Sequence, residues 1–131
     1  MKLRYVGLAI VFLWFAVGGV FHFVTPDAFV RIVPPYVPYP LAMVYSSGVF
    51  ELLGAIGILL PKWRRAAGIG LFVLTICVTP ANVHMWLHAD QFPEISETAL
   101  LIRLPVQVLL LACIWWSTQA PRTGETVGGR R

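Results

Sequence analysis

Residues 3–24 read LRYVGLAIVFLWFAVGGVFHFV, an apolar run broken only by Arg4 at its start and by His22 near its far end. A helix needs about 20 apolar residues to cross the hydrocarbon core of a bilayer. This run is long enough to do so. Its basic beginning suggests a secretion signal, but the run is too long for one and carries GVFHF in place of a small-x-small cleavage site. Three further runs of similar length follow, Leu41 to Leu60, Ala66 to Leu87 and Ala99 to Thr118. A retained first helix and four transmembrane helices are therefore expected.

Composition agrees. Of 131 residues, 58% are hydrophobic and only 12% charged, with a mean hydropathy of +0.77. A chain this apolar has too little polar surface for a water-soluble globule. The expected fold is all-α, a four-helix transmembrane bundle over residues 1–119 with a disordered cytoplasmic tail over 120–131. Lys2, Arg4, Lys62, Arg64, Arg65, Arg122, Arg130 and Arg131 fall on one side if four helices alternate, eight of the ten basic residues. Positive loops resist translocation. Both termini are thus expected in the cytoplasm. The net charge of +4 follows from this bias, so it is poor evidence for nucleic-acid binding, and no nucleic acid is expected as a partner.

Between the first two runs lies TPDAFVRIVPPYVPYP, residues 25–40. Its prolines remove backbone donors and forbid a continuous helix. Thr25 is placed to cap one or two helical turns starting at Pro26, after which the chain should run extended. Tyrosines favour the headgroup zone, so the segment is expected at the outer interface. Pro34, Pro35, Tyr36 and Tyr39 form either a lid over the bundle or a plain interfacial anchor. The link from Pro61 to Arg65 is short enough to make the second and third helices antiparallel neighbours. Ser96 and Thr98 are candidate caps for the fourth helix.

Ionisable groups inside apolar helices cost on the order of 3 kcal/mol each, so they tend to face inward and to mark function. His22, Glu51, Asn82, His84, Arg103 and Gln107 are a set of ionisable and amide side chains within the four runs. With about 1.5 Å of rise per residue, they lie from near the outer surface (His22) to about 15 Å deep (Glu51), all in the outer half. Residues three or four apart share a helix face. Arg103 and Gln107 do so, as do Ser47, Glu51 and Ala55, and as do Phe15, Gly18, Gly19 and His22. Pro80 is expected to bend the third helix just before Asn82 and His84. Together these six residues form a candidate polar pocket. The simplest partner for Glu51 is Arg103, because an unpaired charge in a dry bundle is costly.

His84 and His88 are four apart, a spacing at which one helix can offer two imidazoles to a metal. A third ligand would have to come from another helix, and no metal is assigned. Cys77 and Cys113 each sit mid-run without a Cys-x-x-Cys motif, and thiols so placed act mostly as small apolar residues.

The strings IVPPYVPYP (32–40), SGVFELLG (47–54), PANVHM (80–85) and RLPVQ (103–107), with His22, Pro26, Leu60, Pro61, Arg64 and Arg65, resemble the DoxX-like family of small bacterial four-helix membrane proteins. The resemblance implies a four-helix bundle of the inner membrane, associated in some relatives with sulfur-compound oxidation feeding quinones or with oxidoreductase complexes.

Three functions fit. In the first, a redox-associated subunit uses the pocket for a quinone headgroup or a small oxyanion such as thiosulfate, with Arg103, Asn82 and Gln107 as donors and Glu51 or His84 handling a proton. The second is a small-solute carrier gated by the proline-rich segment. The third is a scaffold whose polar cluster only holds helices together. No group singles itself out as catalytic, and quinone is the one cofactor suggested. Partners beyond the bilayer would be oxidoreductase or sulfur-metabolism proteins, or further copies of the chain.

Overall fold

In the computed structural model, which describes residues 2–119, all regular structure is helical. In chain order the elements are α1 (Lys2–Val24), α2 (Pro26–Val30), α3 (Pro40–Leu59), α4 (Arg64–Cys77), α5 (Thr79–Leu87), a 3-10 turn (Ala89–Gln91) and α6 (Glu97–Gln119). Four stretches are long and apolar enough to cross a membrane, Leu3–Val24, Pro40–Leu59, Arg64–Leu87 and Glu97–Gln119. The tail expected to be disordered lies outside the described residues.

The long helices neighbour one another in a ring: α1 packs on α3, α3 on α4, α4 on α6, and α6 returns to α1. Their outward faces stay apolar, with Leu109 70%, Val108 64% and Phe50 61% exposed. That is far more contiguous apolar surface than a water-soluble monomer shows. The centre is filled by Leu8, Val11, Phe15, Ala55, Ile58, Leu71, Leu110 and Ile114. In lipid such contacts gain little from the hydrophobic effect, so close fit and small residues at the crossings bring the helices together. Two glycines show this. A Cβ on Gly48 would fall 2.7 Å from His22 Cβ, and one on Gly68 would fall 2.0 Å from Thr118 Oγ1.

The end holding Arg4, Arg64 and Arg65 is tied by side chains to carbonyls. Arg64 Nε donates to Ile58 O at 2.7 Å, Arg4 Nε to Ser117 O at 2.8 Å and Gln119 Nε2 to Arg65 O at 2.8 Å. The last carbonyls of a helix lack intrahelical partners, so these arginines cap α3 and α6 as well as adding charge. Ser96 Oγ accepts from Ala99 N at 3.1 Å at the start of α6, as the sequence suggested. Thr25 does occupy the cap position of α2, yet its hydroxyl turns back to donate to Phe21 O at 3.1 Å.

Two prolines shape the opposite, proline-rich end. Pro80 lies in the first turn of α5 and the third long helix breaks at Val78, between α4 and α5. Pro105 sits inside α6, where it cannot donate to the carbonyl four residues back. Pro80 thus marks a division of the third long helix, whereas α6 stays continuous through Pro105. Tyr39 enters α3 at φ 52°, the only non-glycine residue with a positive φ among those described.

Candidate ligand cavity

Between the helices, toward the proline-rich end, lies a cavity of about 910 Å³ lined from every long helix and from the segment after α2. His22, Glu51, Asn82, Arg103 and Gln107 all line it, and so do Pro34 and Tyr36. The convergence expected from helical phase is thus present for five of six pocket residues. His84 does not line it. Its ring lies instead against that of His88, tilted, with centroids 4.3 Å apart, because the turn of α5 that aims Asn82 inward carries the side chain two residues later to another face. Pro35 and Tyr39 also lie off the cavity, and Tyr39 is 79% exposed. Among the described residues no group of three His, Cys, Asp or Glu side chains could hold a metal ion.

Glu51 pairs with His22 and not with Arg103. His22 Nδ1 stands 2.8 Å from Val44 O, so this nitrogen must carry its hydrogen to donate to a carbonyl. Nε2 then faces Glu51 Oε1 at 3.5 Å. Phe29 of α2 stacks on the imidazole at 4.1 Å. Gly48 makes the arrangement possible, since its missing side chain lets α1 come close enough to hand His22 to α3. Glu51 Oε2 is buried and has no hydrogen-bond partner. A buried acceptor left unmatched costs about 1–3 kcal/mol, which makes it the most conspicuous chemical feature of the cavity.

The amides form a separate cluster. Asn82 Nδ2 donates to Gln107 Oε1 at 2.5 Å, while Gln107 Nε2 donates to Thr79 Oγ1 and to Thr75 O, the latter at 3.4 Å. Gln107 therefore bridges both sides of the break at Val78. Arg103 reaches Met85 Sδ at 3.5 Å. A thioether is a weak acceptor, so a guanidinium so placed keeps strong donors for another group facing the cavity.

Over the proline-rich end runs a strap. Arg31 donates to Glu94 Oε1 at 2.8 Å and to Gln91 O at 3.2 Å, and its guanidinium lies 5.2 Å from the centre of the Phe92 ring. Ile32 packs on the cluster of Met85, Phe92 and Leu100. The Glu94 carboxyl is held below its ordinary pKa by its own backbone N–H and then by Arg31. The flanks differ. Leu13, Trp14 and Val17 of α1 line the cavity while remaining 59%, 51% and 52% exposed, and on the α3–α4 side Met43 and Cys77 do likewise.

A family model described as "Domain of unknown function (DUF8561)" matches residues 9–118. The chain belongs to the DUF8561 family. The matched region contains the whole cavity and the strap, so both lie within the DUF8561 domain. No curated protein and no solved structure matches the chain.

Thr75, Thr79 and Met85 were not foreseen as parts of this end, and Phe29 and Arg31, though inside the segment expected there, were given no contacts. Thr75 and Thr79 did leave a signal, two hydroxyls one turn apart just before Pro80. Arg31 left another, as the one arginine among Asp27, Asp90, Glu94 and Glu97. Phe29 and Met85 are indistinguishable in sequence from core apolar residues.

Proposed function

We propose that this DUF8561 protein spans a bacterial inner membrane as a four-helix bundle with its basic end in the cytoplasm, and binds a quinone-type headgroup in its outer half as a small redox-associated subunit. On this reading the segment after α2 sits at the outer interface. The DoxX-like resemblance supplies the redox association, and the bias of basic residues supplies the orientation. One observation supports ligand binding most: a cavity with largely apolar walls holds Arg103, whose described contact is to a thioether, together with a carboxylate oxygen that has no partner. Small-molecule sites combine apolar walls with a few convergent polar groups in this way. A free oxyanion suits it less well, because Glu51 would repel it and the apolar walls would go unused. A planar guanidinium fork favours carbonyl or anionic acceptors.

The scaffold reading has its own support in the amide cluster, since Gln107 bonds Asn82 and Thr79 of α5 and the Thr75 carbonyl of α4, tying α4, α5 and α6 together. Melting of the purified protein separates the two. A decyl-substituted benzoquinone, tested oxidised and reduced, is expected to raise the melting temperature, since a ligand at 100 times its Kd adds about 2.7 kcal/mol. Arg103→Ala should abolish the shift, and thiosulfate should produce none. Absence of any shift, or an equal one in Arg103→Ala, would leave the scaffold.

A further inference from the structure

The two ends of the cavity's surroundings differ in what they would let through. Toward the outer water the strap is fastened by Arg31 to Glu94 and Gln91, and by Ile32 to the Met85 cluster. Toward the lipid it is not closed. The described α1–α6 ties lie at the basic end, with Arg4 on Ser117, Gly7 against Trp116 and Ser117, and Cys113 Sγ 3.8 Å from Gly7 O. The face of α1 that meets α6 at Gly7 continues by helical spacing to Trp14 and Val17. There both residues line the cavity at about half exposure, so α6, which carries Pro105 on this stretch, leaves a side window there.

Glu51 sets the chemistry of what would arrive. His22 Nδ1 is committed as a donor to Val44 O, so a proton shared with Glu51 lies between Nε2 and Oε1. Whichever atom carries it, Oε2 remains an acceptor. Arg103, with donors only, asks for the opposite. Resting on the reading above, we propose that the cavity takes a bilayer-dissolved amphiphile, loaded sideways between α1 and α6, whose head offers a hydrogen-bond donor to Glu51 Oε2 and an acceptor to Arg103. For a quinone-type head this selects the reduced, hydroxyl-bearing form.

Decyl benzoquinol and its dimethyl ether, which keeps the shape and chain but has no donor, are the probes. They are titrated anaerobically into the protein in lipid nanodiscs and followed by tryptophan fluorescence, since Trp14 lines the cavity. The quinol should bind at least tenfold more tightly than the ether to the wild type. Gly18→Ala, which puts a methyl 3.1 Å from Oε2 without changing charge, and Glu51→Gln should both erase most of that difference. Leu13→Trp with Val17→Phe should slow quinol association several-fold, and Arg31→Ala should not alter it. Equal binding of quinol and ether would overturn the donor assignment. Association faster in Arg31→Ala and unchanged in the window variant would overturn the sideways route while leaving quinone-type binding intact. No binding of either probe or of the oxidised form would remove both.

Discussion

Tyr39 shows how a single residue can carry strain that its side chain does not repay. At φ 52° it occupies the left-handed region, which costs an L-residue roughly 1–2 kcal/mol, and its ring is mostly exposed. Tyr39→Gly is expected to be neutral or to raise stability by up to about 1 kcal/mol, because glycine's extra unfolded-state freedom offsets part of the relief; a clear fall in melting temperature would show that the ring anchors the segment. Gln107 is the reverse case. Gln107→Leu removes the bridge across the α4–α5 break and strands the Asn82 amide, so it should cost about 0.6–1.7 kcal/mol, from the average to the largest coupling found for hydrogen bonds between membrane helices. A variant melting like the wild type would make the cluster ornamental. Helical phase was enough to foresee that Glu51 and Gln107 face inward, because burial of polar groups leaves one direction open. It could not choose the partner of Glu51. His22 and Arg103 both lie on faces directed at the cavity, and the choice fell to a close helix approach at Gly48 and to the hold of Val44 O on the imidazole.

At the scale of the element, the strap and the broken helices are the parts with adjustable behaviour. Glu94 has a depressed pKa. Its contribution is therefore complete above the unfolded carboxylate value of about 4.3 and is lost as pH falls through the lower folded value. Protease cleavage near Pro34 should be constant from neutral pH down to that region, then rise on further acidification, and Arg31→Ala should raise cleavage already at neutral pH. A pH-independent rate equal in both proteins would mean that the latch does not hold the segment. Pro105→Ala restores a donor to α6 and should straighten it; the expected result is an equal or higher melting temperature with slower quinol association, as the window narrows. Pro80 announced its break in the sequence because a proline in a long apolar run has few other meanings. The effect of Pro105 was harder to see, since a single proline within α6 leaves the helix continuous.

For the molecule as a whole, the number, order and approximate limits of the long helices were legible from apolar run length alone, because lipid obliges each run to satisfy its backbone internally. Which helices touch was partly legible: the short Pro61–Arg65 link makes α3 and α4 neighbours. The ring closure of α6 on α1 was not, since it depends on close contacts such as Gly7 against Trp116 that no periodicity reveals. His84 was grouped with Asn82 although residues two apart on one helix point to different faces, so only Asn82 lines the cavity. On the proposed orientation, a reporter fused after Arg131 should read cytoplasmic, and one reading outside would overturn it. The central claim is a lipid-accessible cavity between helices, and photolabelling tests it most directly. An alkyl diazirine activated in nanodiscs should label Trp14, Val17, Met43 and Val106, with decyl benzoquinol suppressing these adducts and sparing those on the outward-facing Val108 and Leu109. Labelling confined to Val108, Leu109 and similar outer positions, or adducts at Trp14 and Val106 unaffected by the quinol, would contradict it.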